Sequence, residues 1–518
     1  MKRLLISLIA VVLCCTHISA QQTRRQLIKK LDAVYNYIEN LYVEDRPLEP
    51  LVEEAIRATL QSLDPHSTYL TKEEMEASQA NLKGVFAGIG VSNIIHNDTI
   101  VVRTTIEGSP AKDGGILPND RIVAINNQNV VGYDLSTSGA LIRGKAGSTV
   151  SLDIVRRGFN EPISIELKRD YISTEAVEAF RIDNIGYIAI STFTKRLASE
   201  FYEAYTSLGD VKSLVIDLRN NGGGYLTSAI DLSTLFLEKG DVIVITEDKS
   251  KERLYHAKRN GELRDVPLVV IINENTASAS EIFAGAMQDH DRATIIGRTS
   301  FGKGLIQKNI KYKDGSGLRI TTARYKTPSG RPIQRPYTAG KNAAYRRDTM
   351  RYIHPDSIER IDSLKFKTLK LGREVYAGGG IIPDIYITSN NTKLSDSVLQ
   401  SLSKGVIEHS LVEYWDLECV EKMESLRQQY PTMQSFNEGY SPSYELWDIL
   451  YRLGGYGAED ITEREHRYLE ALLCASIAEQ LYGMKAGNYV YICKFDIIAN
   501  HALAIAKESI IEEMSNDK

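Results

Sequence analysis

The chain has 518 residues, which at roughly 100–200 residues per domain allows about three domains and excludes a mini-protein held by metal or disulfide staples. Lysine and arginine total 62 against 67 aspartates and glutamates, a formal net charge of −5. There is no global basic excess to attract nucleic acid and no acidic excess of the kind a disordered tail carries.

At the N-terminus Lys2 and Arg3 precede an apolar run from Leu4 to Cys15, followed by Thr16 to Gln21. A basic start, a short apolar core and a small residue at the end describe a secretory signal peptide, residues 1–20, cleaved after Ala20. A spanning helix needs about 20 apolar residues, more than this run has. Lipidation at Cys14 or Cys15 and an uncleaved anchor are the alternatives, and Leu13 before Cys14 is larger than a lipidation site expects. Export to the periplasm or cell envelope is the expectation. Of five cysteines, the mature chain keeps Cys419, Cys474 and Cys493. Their spacing fits no disulfide framework or zinc site, so buried free thiols are expected.

Residues 21–83 read as a helical region. Leu27, Leu31, Val34, Ile38 and Leu41 recur at helical spacing over 22–43, and a second helix covers 49–63 before Asp64-Pro65. Such a stripe is most often a packing face, and an exposed one could make a dimer contact. From Gly84 to Asp170 short strands alternate with turn residues, which predicts a small β-rich module in which Ala140 to Arg143 closes a helix. From 185 to 310 apolar runs (186–190, 214–218, 268–272, 293–296) alternate with helical patterns (195–207, 225–238, 279–289). That pattern predicts an α/β core with a mostly parallel sheet, assigned to 171–390. The Lys- and Arg-rich stretch 335–372 reads as a solvated insertion. Residues 391–518 read as a helical C-terminal region, with helices at 394–410, 443–453, 462–482 and 495–513.

The chemistry concentrates in the α/β segment. The strand 268–272 runs through Asn273-Glu-Asn-Thr-Ala277 to Ser278 and Ala279, where a helix starts. A serine there lies at the edge of the sheet where open α/β folds put ligands, beside unpaired helix N–H groups that suit an oxyanion. Most serines at such junctions only cap the helix. Asp217-Leu-Arg219 ends another strand and meets Asn220-Asn-Gly-Gly-Gly224. Those glycines either let the backbone approach a ligand or make a plain turn.

Gly297 to Lys303 nearly matches a phosphate-binding loop, but Gly304 stands where Ser or Thr should hold magnesium. A lysine between two glycines can instead be a general base, although a solvated loop lysine is the commoner case. Only about one free lysine in 2,500 is neutral at pH 7. Lowering its pKa to about 7.5 costs near 4 kcal/mol, which burial can supply. A Ser–His–Asp triad has nothing to select His66 or His256 among nine histidines, and His290 falls at the far end of the helix that follows Ser278. No His-Glu-x-x-His occurs, so neither metal nor cofactor is expected.

Together these segments resemble the carboxy-terminal processing peptidases, or tail-specific proteases, over residues 25–390. The resemblance is carried by Ser62-Leu-Asp-Pro-His-Ser-Thr-Tyr-Leu70, Phe86-Ala-Gly-Ile-Gly90, Asp217-Leu-Arg-Asn-Asn-Gly-Gly-Gly224 and Ala277-Ser-Ala-Ser-Glu-Ile-Phe-Ala284. It continues through Thr299-Ser-Phe-Gly-Lys-Gly304 with Gln307, Thr327-Pro-Ser-Gly-Arg-Pro-Ile-Gln334 and Gly378-Gly-Gly-Ile-Ile-Pro-Asp384. Each motif is weak or moderate alone; their order and spacing are specific.

The resemblance implies a serine endopeptidase with a Ser–Lys dyad and an inserted PDZ domain at 84–170. Ser278 matches the nucleophile, Lys303 the base and Gln307 the residue that orients the lysine, with a plain strand residue as its bland alternative. The N–H groups of Gly223 and Ala279 match the oxyanion hole. Gly222 stands where many relatives have proline and Thr276 where serine is frequent, and neither change removes a reacting group. In the PDZ domain Phe86, Gly88, Ile89, Gly90 and Val91 match the carboxylate loop and terminal side-chain pocket, which implies protein substrates with apolar C-termini. Arg143 is either a coupling residue or an exposed surface arginine. The resemblance also leaves room for a homodimer and a regulatory partner. The alternative function is an inactive PDZ-based adaptor that binds protein C-termini.

Overall fold

The computed structural model describes residues 24–173, 175–338, 340, 345, 362–387, 394–416 and 419–516. The expected signal peptide lies outside the described residues, as does much of the basic stretch at 335–372. The chain divides into two compact units.

The first unit contains the N-terminal residues to Thr71, Lys308–Thr321 and Tyr337–Tyr345. Residues 24–41 and Leu48–Gln61 are helical, as the apolar spacing predicts. The second helix stops where Asp64 turns the chain: its Oδ1 accepts the N–H groups of His66 and Ser67, both at 2.8 Å. Thr68–Leu70 then pairs antiparallel with Gly317–Arg319. Leu27, Leu31, Val34 and Leu41 are exposed along residues 24–41.

The second unit holds the remainder. Its central six-stranded sheet has the order Val177–Ile182, Ile185–Ile190, Ser213–Asp217, Leu268–Ile272, Thr294–Gly297, Ile385–Tyr386. The first two strands form an antiparallel hairpin and the next four pairings are parallel. The expectation of a mostly parallel sheet over 171–390 needs correction, because Val242–Asp248 pairs antiparallel with Glu252–His256 and with 323–326. Among the described residues the sheets are largely antiparallel, and parallel strand pairing is confined to this central sheet, where helices provide the crossovers that parallel strands require.

Ser213–Asp217 and Leu268–Ile272 are buried at every position. Continuous apolar strands need cover on both faces. The helices Leu197–Ser207, Leu226–Thr234 and Ala279–Asp289 supply one cover, packing Phe201, Leu232, Phe283 and Met287 on Ile188, Ile216 and Val270. The C-terminal region supplies the other. Trp415, Leu473, Ile477, Val490 and Ala502 share a core with Tyr187, Val215, Val269, Ile271 and Ile296. Fully burying a Val, Leu or Ile is worth about 1.5–3 kcal/mol, so these helices belong to the core's own folding unit. Among the described residues no single helix is long and apolar enough to cross a membrane.

The C-terminal helices fall close to their expected places, at Tyr444–Gly454, Glu463–Tyr482 and Ile497–Asn516. The helix expected over 394–410 is broken in two by Gly405, whose φ of +73° ends one helix and starts the next. Cys419, Cys474 and Cys493 are free thiols, the first two buried.

The β-rich module is a second six-stranded sheet, antiparallel throughout, built on Val91–His96, Thr99–Thr105, Arg121–Ile125, Thr149–Val155 and Ile163–Lys168 with a short Gln128–Asn129 strand. Ile100, Val102, Ile122, Val150, Leu152 and Ile154 form its core. The helix Leu135–Ile142 is N-capped by Asp134. The C-terminal region also grips this module. Arg103 makes a bidentate pair with Glu479 at 2.8 and 2.9 Å, and Arg121 reaches Asp416 at 2.8 Å.

Candidate active site

The segment Asn273–Ala277 is a tight turn. Asn273 N–H donates to Thr276 Oγ1 at 2.9 Å, and that hydroxyl donates to the Leu218 carbonyl at 2.8 Å. A serine could make the same two bonds, so Thr276 keeps the role its position needs. The turn delivers Ser278 with φ +60° and ψ −116°. A non-glycine residue at positive φ stores strain, and such strain concentrates at functional sites. The helix Ala279–Asp289 behind it is buried along its whole length.

Ser278 is not an ordinary cap. The Glu281 N–H donates to the Ser278 backbone carbonyl at 2.9 Å. The cap runs in reverse, with Ser278 N–H donating to Glu281 Oε2 at 2.8 Å. Glu281 is fully buried. Its Oε2 also accepts the Lys303 N–H at 2.9 Å, while Oε1 accepts the Gly302 N–H at 2.7 Å and the Ser300 hydroxyl at 2.5 Å. Burial raises this carboxyl above the usual range, and the four hydrogen bonds oppose that shift without cancelling it. These bonds also dispose of the nucleotide reading, because the Gly302 and Lys303 N–H groups that would cradle a phosphate are taken by a carboxylate.

Tyr325 ties the same two segments from another side. Its hydroxyl lies 3.0 Å from the Ser278 carbonyl and 2.8 Å from the Lys303 carbonyl, donating to both. Burial pushes its pKa well up, which keeps it a donor. The lysine loop has its own backing. Gly304 N–H donates to Gln334 Oε1 at 2.8 Å, Arg335 N–H to the Gly302 carbonyl at 2.9 Å, and Ile381 N–H to Ser300 Oγ at 2.6 Å. The motifs around 327–334 and 378–384 thus act as supports for the loop. Lys303 and Gln307 are both half-buried, Gln307 on the strand Leu305–Lys311.

The glycine loop closes on Ser278 directly. Gly223 has φ +97°, and a Cβ there would stand 2.8 Å from both Ala279 N and Ser278 Cβ. Asn221 organises the loop from a fully buried position. Its amide donates to the Ile190 carbonyl at 2.8 Å, its carbonyl accepts Ala277 N–H at 2.9 Å, and its Oδ1 accepts the Gly223 N–H at 2.8 Å. The Gly223 N–H therefore has a partner inside its own loop. Ala279 N–H is the first of the unpaired helix donors. Ser278, Ala279, Gly223 and the backbone of Lys303 are thus gathered at one point.

His290 caps the far end of the eleven-residue helix Ala279–Asp289, about 18 Å from Ser278 at 1.5 Å per residue. It contacts the Val242 carbonyl at 2.7 Å, which leaves it no part in a triad with Ser278.

In the β-rich module Phe86 and Gly88 lie on the strand Val85–Gly88, paired with Ile172 and Asp170. Ile89 is buried in the module's core and Val91, half-buried, opens the strand Val91–His96. Gly90 has φ +80°, and Ser109 Cβ leaves no room for a side chain. The carbonyls of Ile89 and Gly90 accept N–H groups of Ala111 and Ile106, both at 2.9 Å. Arg143 is exposed, its guanidinium lying back over Gly139 of its own helix, as the bland alternative expects. The roles of Glu281, Tyr325 and Asn221 emerge only from the structure. Only Glu281 had a signal, the Ser-x-x-Glu spacing of a capping box.

Residues 184–340 match the peptidase family S41 model and residues 101–156 a PDZ domain model. The carboxy-terminal-processing protease of Bartonella bacilliformis is 37% identical over 336 residues, 63% of this chain and 77% of that one. A "Probable CtpA-like serine protease" of Staphylococcus haemolyticus is 34% identical over 399 residues, 75% of this chain and 78% of that one. Among solved structures, the photosystem II D1 C-terminal processing protease aligns with a TM-score of 0.37 and 27% identity, over 69% of this chain and 86% of that one. A serine peptidase core accompanied by a PDZ domain is the class that the two family models and the two curated relatives define. The chain belongs to peptidase family S41, among the carboxy-terminal processing proteases.

Proposed function

We propose that this chain is an exported endopeptidase that takes protein C-terminal tails on its PDZ module and hydrolyses peptide bonds with a Ser278–Lys303 dyad. The observation that carries the reading is the Glu281 carboxylate, which joins the backbones of a strained serine and a loop lysine through one oxygen. In this reading the neutral Lys303 amine takes the Ser278 proton as Oγ attacks the scissile carbonyl. Gln307 accepts a hydrogen bond from the lysine and fixes its direction. The Ala279 and Gly223 N–H groups hold the oxyanion, each donor worth about 2.7–4 kcal/mol in other proteases. Because Gly223 N–H donates to Asn221 Oδ1, it must turn toward the substrate or share its proton when the carbonyl arrives. Protonated Lys303 then donates to the leaving amine, and water resolves the acyl-enzyme.

The PDZ reading rests on Ile89 and Val91 at the mouth of the strand Val91–His96, an apolar floor for a terminal side chain. Export rests on the basic and apolar character of residues 2–15. We assign dimerisation to the exposed apolar stripe of residues 24–41. The test is cleavage of an unfolded protein ending in apolar residues, with and without its last three residues. Wild type should cut the tailed form faster, and Ser278→Ala should cut neither. Binding of the tail without any cleavage by wild type would favour the adaptor instead.

A further inference from the structure

We propose that Asp496, in the helical region beyond the family resemblance, is a positioning residue for the glycine loop 220–224, acting through Arg219. The proposal rests on the Ser278–Lys303 reading above and deepens it.

Arg219 is the last residue before that loop, and its side chain is mostly buried, 18% exposed. Asp217 holds one part of the guanidinium, with Nε at 3.0 and 2.9 Å from its two oxygens and Nη2 at 2.6 Å from Oδ2. Tyr187 Oη donates to that same carboxylate at 2.5 Å. Asp217 thus already neutralises the arginine from two residues away. Asp496 adds a second carboxylate, its Oδ2 2.7 Å from Nη2 and its side chain only 7% exposed. A second buried acid beside a neutralised arginine is costly to desolvate and a poor device for stability. It does supply a fixed direction.

Asp496 is itself held. Its Oδ1 caps the helix Ile497–Asn516 by accepting Ala499 N–H at 3.0 Å. One oxygen fixes the residue to its helix and the other is presented to Arg219. Beside the pair is a cavity of about 550 Å³, lined among others by Asp217, Arg219, Asn220, Asn273 and Asp496. An arginine without Asp496 has room there to swing. The residue after Arg219 is Asn220, at φ +60°, whose N–H donates to Asn273 Oδ1 at 3.0 Å. Next comes Asn221, which holds Gly223. Arg219 is the upstream anchor of the loop that meets Ser278, and the C-terminal region fixes that anchor.

The experiment measures kcat and KM for a tailed protein substrate in the full chain. Asp496→Asn keeps an acceptor for Ala499 N–H and removes the charge. A folded D496N enzyme should lose about tenfold in kcat with KM within about twofold, because loop placement and not tail binding is changed. Asp496→Glu should recover part of the loss. In an Arg219→Lys background the further cost of D496N should shrink. Asp496→Ser, which also caps but cannot reach Arg219, decides by the same criterion should D496N fail to fold. Wild-type kcat in a folded variant, or fully additive losses with Arg219→Lys, overturns the positioning role. Cleavage that survives Ser278→Ala overturns the dyad reading beneath it, a distinct outcome.

Discussion

Ser278 and Lys303, twenty-five positions apart in sequence, donate their backbone N–H groups to one atom, Oε2 of Glu281, at 2.8 and 2.9 Å. Their carbonyls share the Tyr325 hydroxyl as well. Two buried side chains thus set the spacing of the two backbones before either side chain is considered.

Glu281→Gln should break this clamp. The amide puts a donor where at least one N–H already points, and a buried unsatisfied group costs about 1–3 kcal/mol. The melting temperature should fall, and kcat should fall by about a hundredfold or more in whatever folds. Tyr325→Phe removes one proton shared by two carbonyls. It should leave a folded chain with kcat lowered about tenfold. Thermal melts and steady-state kinetics on both variants check this.

Neighbouring glycines should behave in opposite ways. Gly222 has open space where a Cβ would go, whereas Gly223 has φ +97° and a Cβ there would meet Ala279 N and Ser278 Cβ at 2.8 Å. Gly222→Ala should keep activity within about twofold and raise stability by about 0.4–1 kcal/mol through the unfolded chain. Gly223→Ala should abolish cleavage. The two proteins, assayed side by side, test whether the loop's close approach is what function needs.

Acid sensitivity should have one traceable component in Glu465. Burial alone would raise its carboxyl, but the N–H groups of Ser395 and Thr462, at 2.6 and 2.8 Å, outweigh that and bring it down to about 2. A carboxyl depressed in the folded state stabilises above its unfolded value of about 4.3, and loses that contribution as pH falls toward 2. Glu465→Gln should therefore cost on the order of 1–3 kcal/mol at pH 7. The gap to wild type should narrow between about pH 4 and pH 2. Denaturant melts at pH 7 and pH 3 check the sign.

Removing residues 391–518 should not yield a soluble protease core. It would uncover Tyr187, Val215, Val269, Ile271 and Ile296 on one sheet face, an apolar patch of the kind that drives aggregation. Expression of the truncated chain should give insoluble protein, and a soluble, monomeric and active truncation would contradict the two-sided core.

The strands 213–217 and 268–272 were legible because continuous apolar runs bounded by polar turns have few other uses. Motif order singles out Ser278 and Lys303, and the structure brings their backbone N–H groups together on Glu281. What covers the sheet's second face was not, because amphipathic helices do not encode which surface they meet. The Asp496–Arg219 pair shows why: a lone aspartate before a helix reads as an N-cap, which it is, and its second bond lies 277 positions away in sequence. The antiparallel pairing of Val242–Asp248 with Glu252–His256 and with 323–326 was hidden because the helical crossovers between the parallel strands dominated the pattern over 171–390. Gly405 was hidden inside a helical period that continues on both sides of it.

The most direct measurement is the pH dependence of kcat/KM for wild type and Lys303→Ala on one tailed substrate. A lysine base predicts wild-type activity that rises through neutral pH with the loss of a single proton, and a variant at background across the range. A wild-type profile that instead rises near about pH 5, as a carboxylate base would give, or a Lys303→Ala enzyme that cleaves at the wild-type rate, would contradict the account.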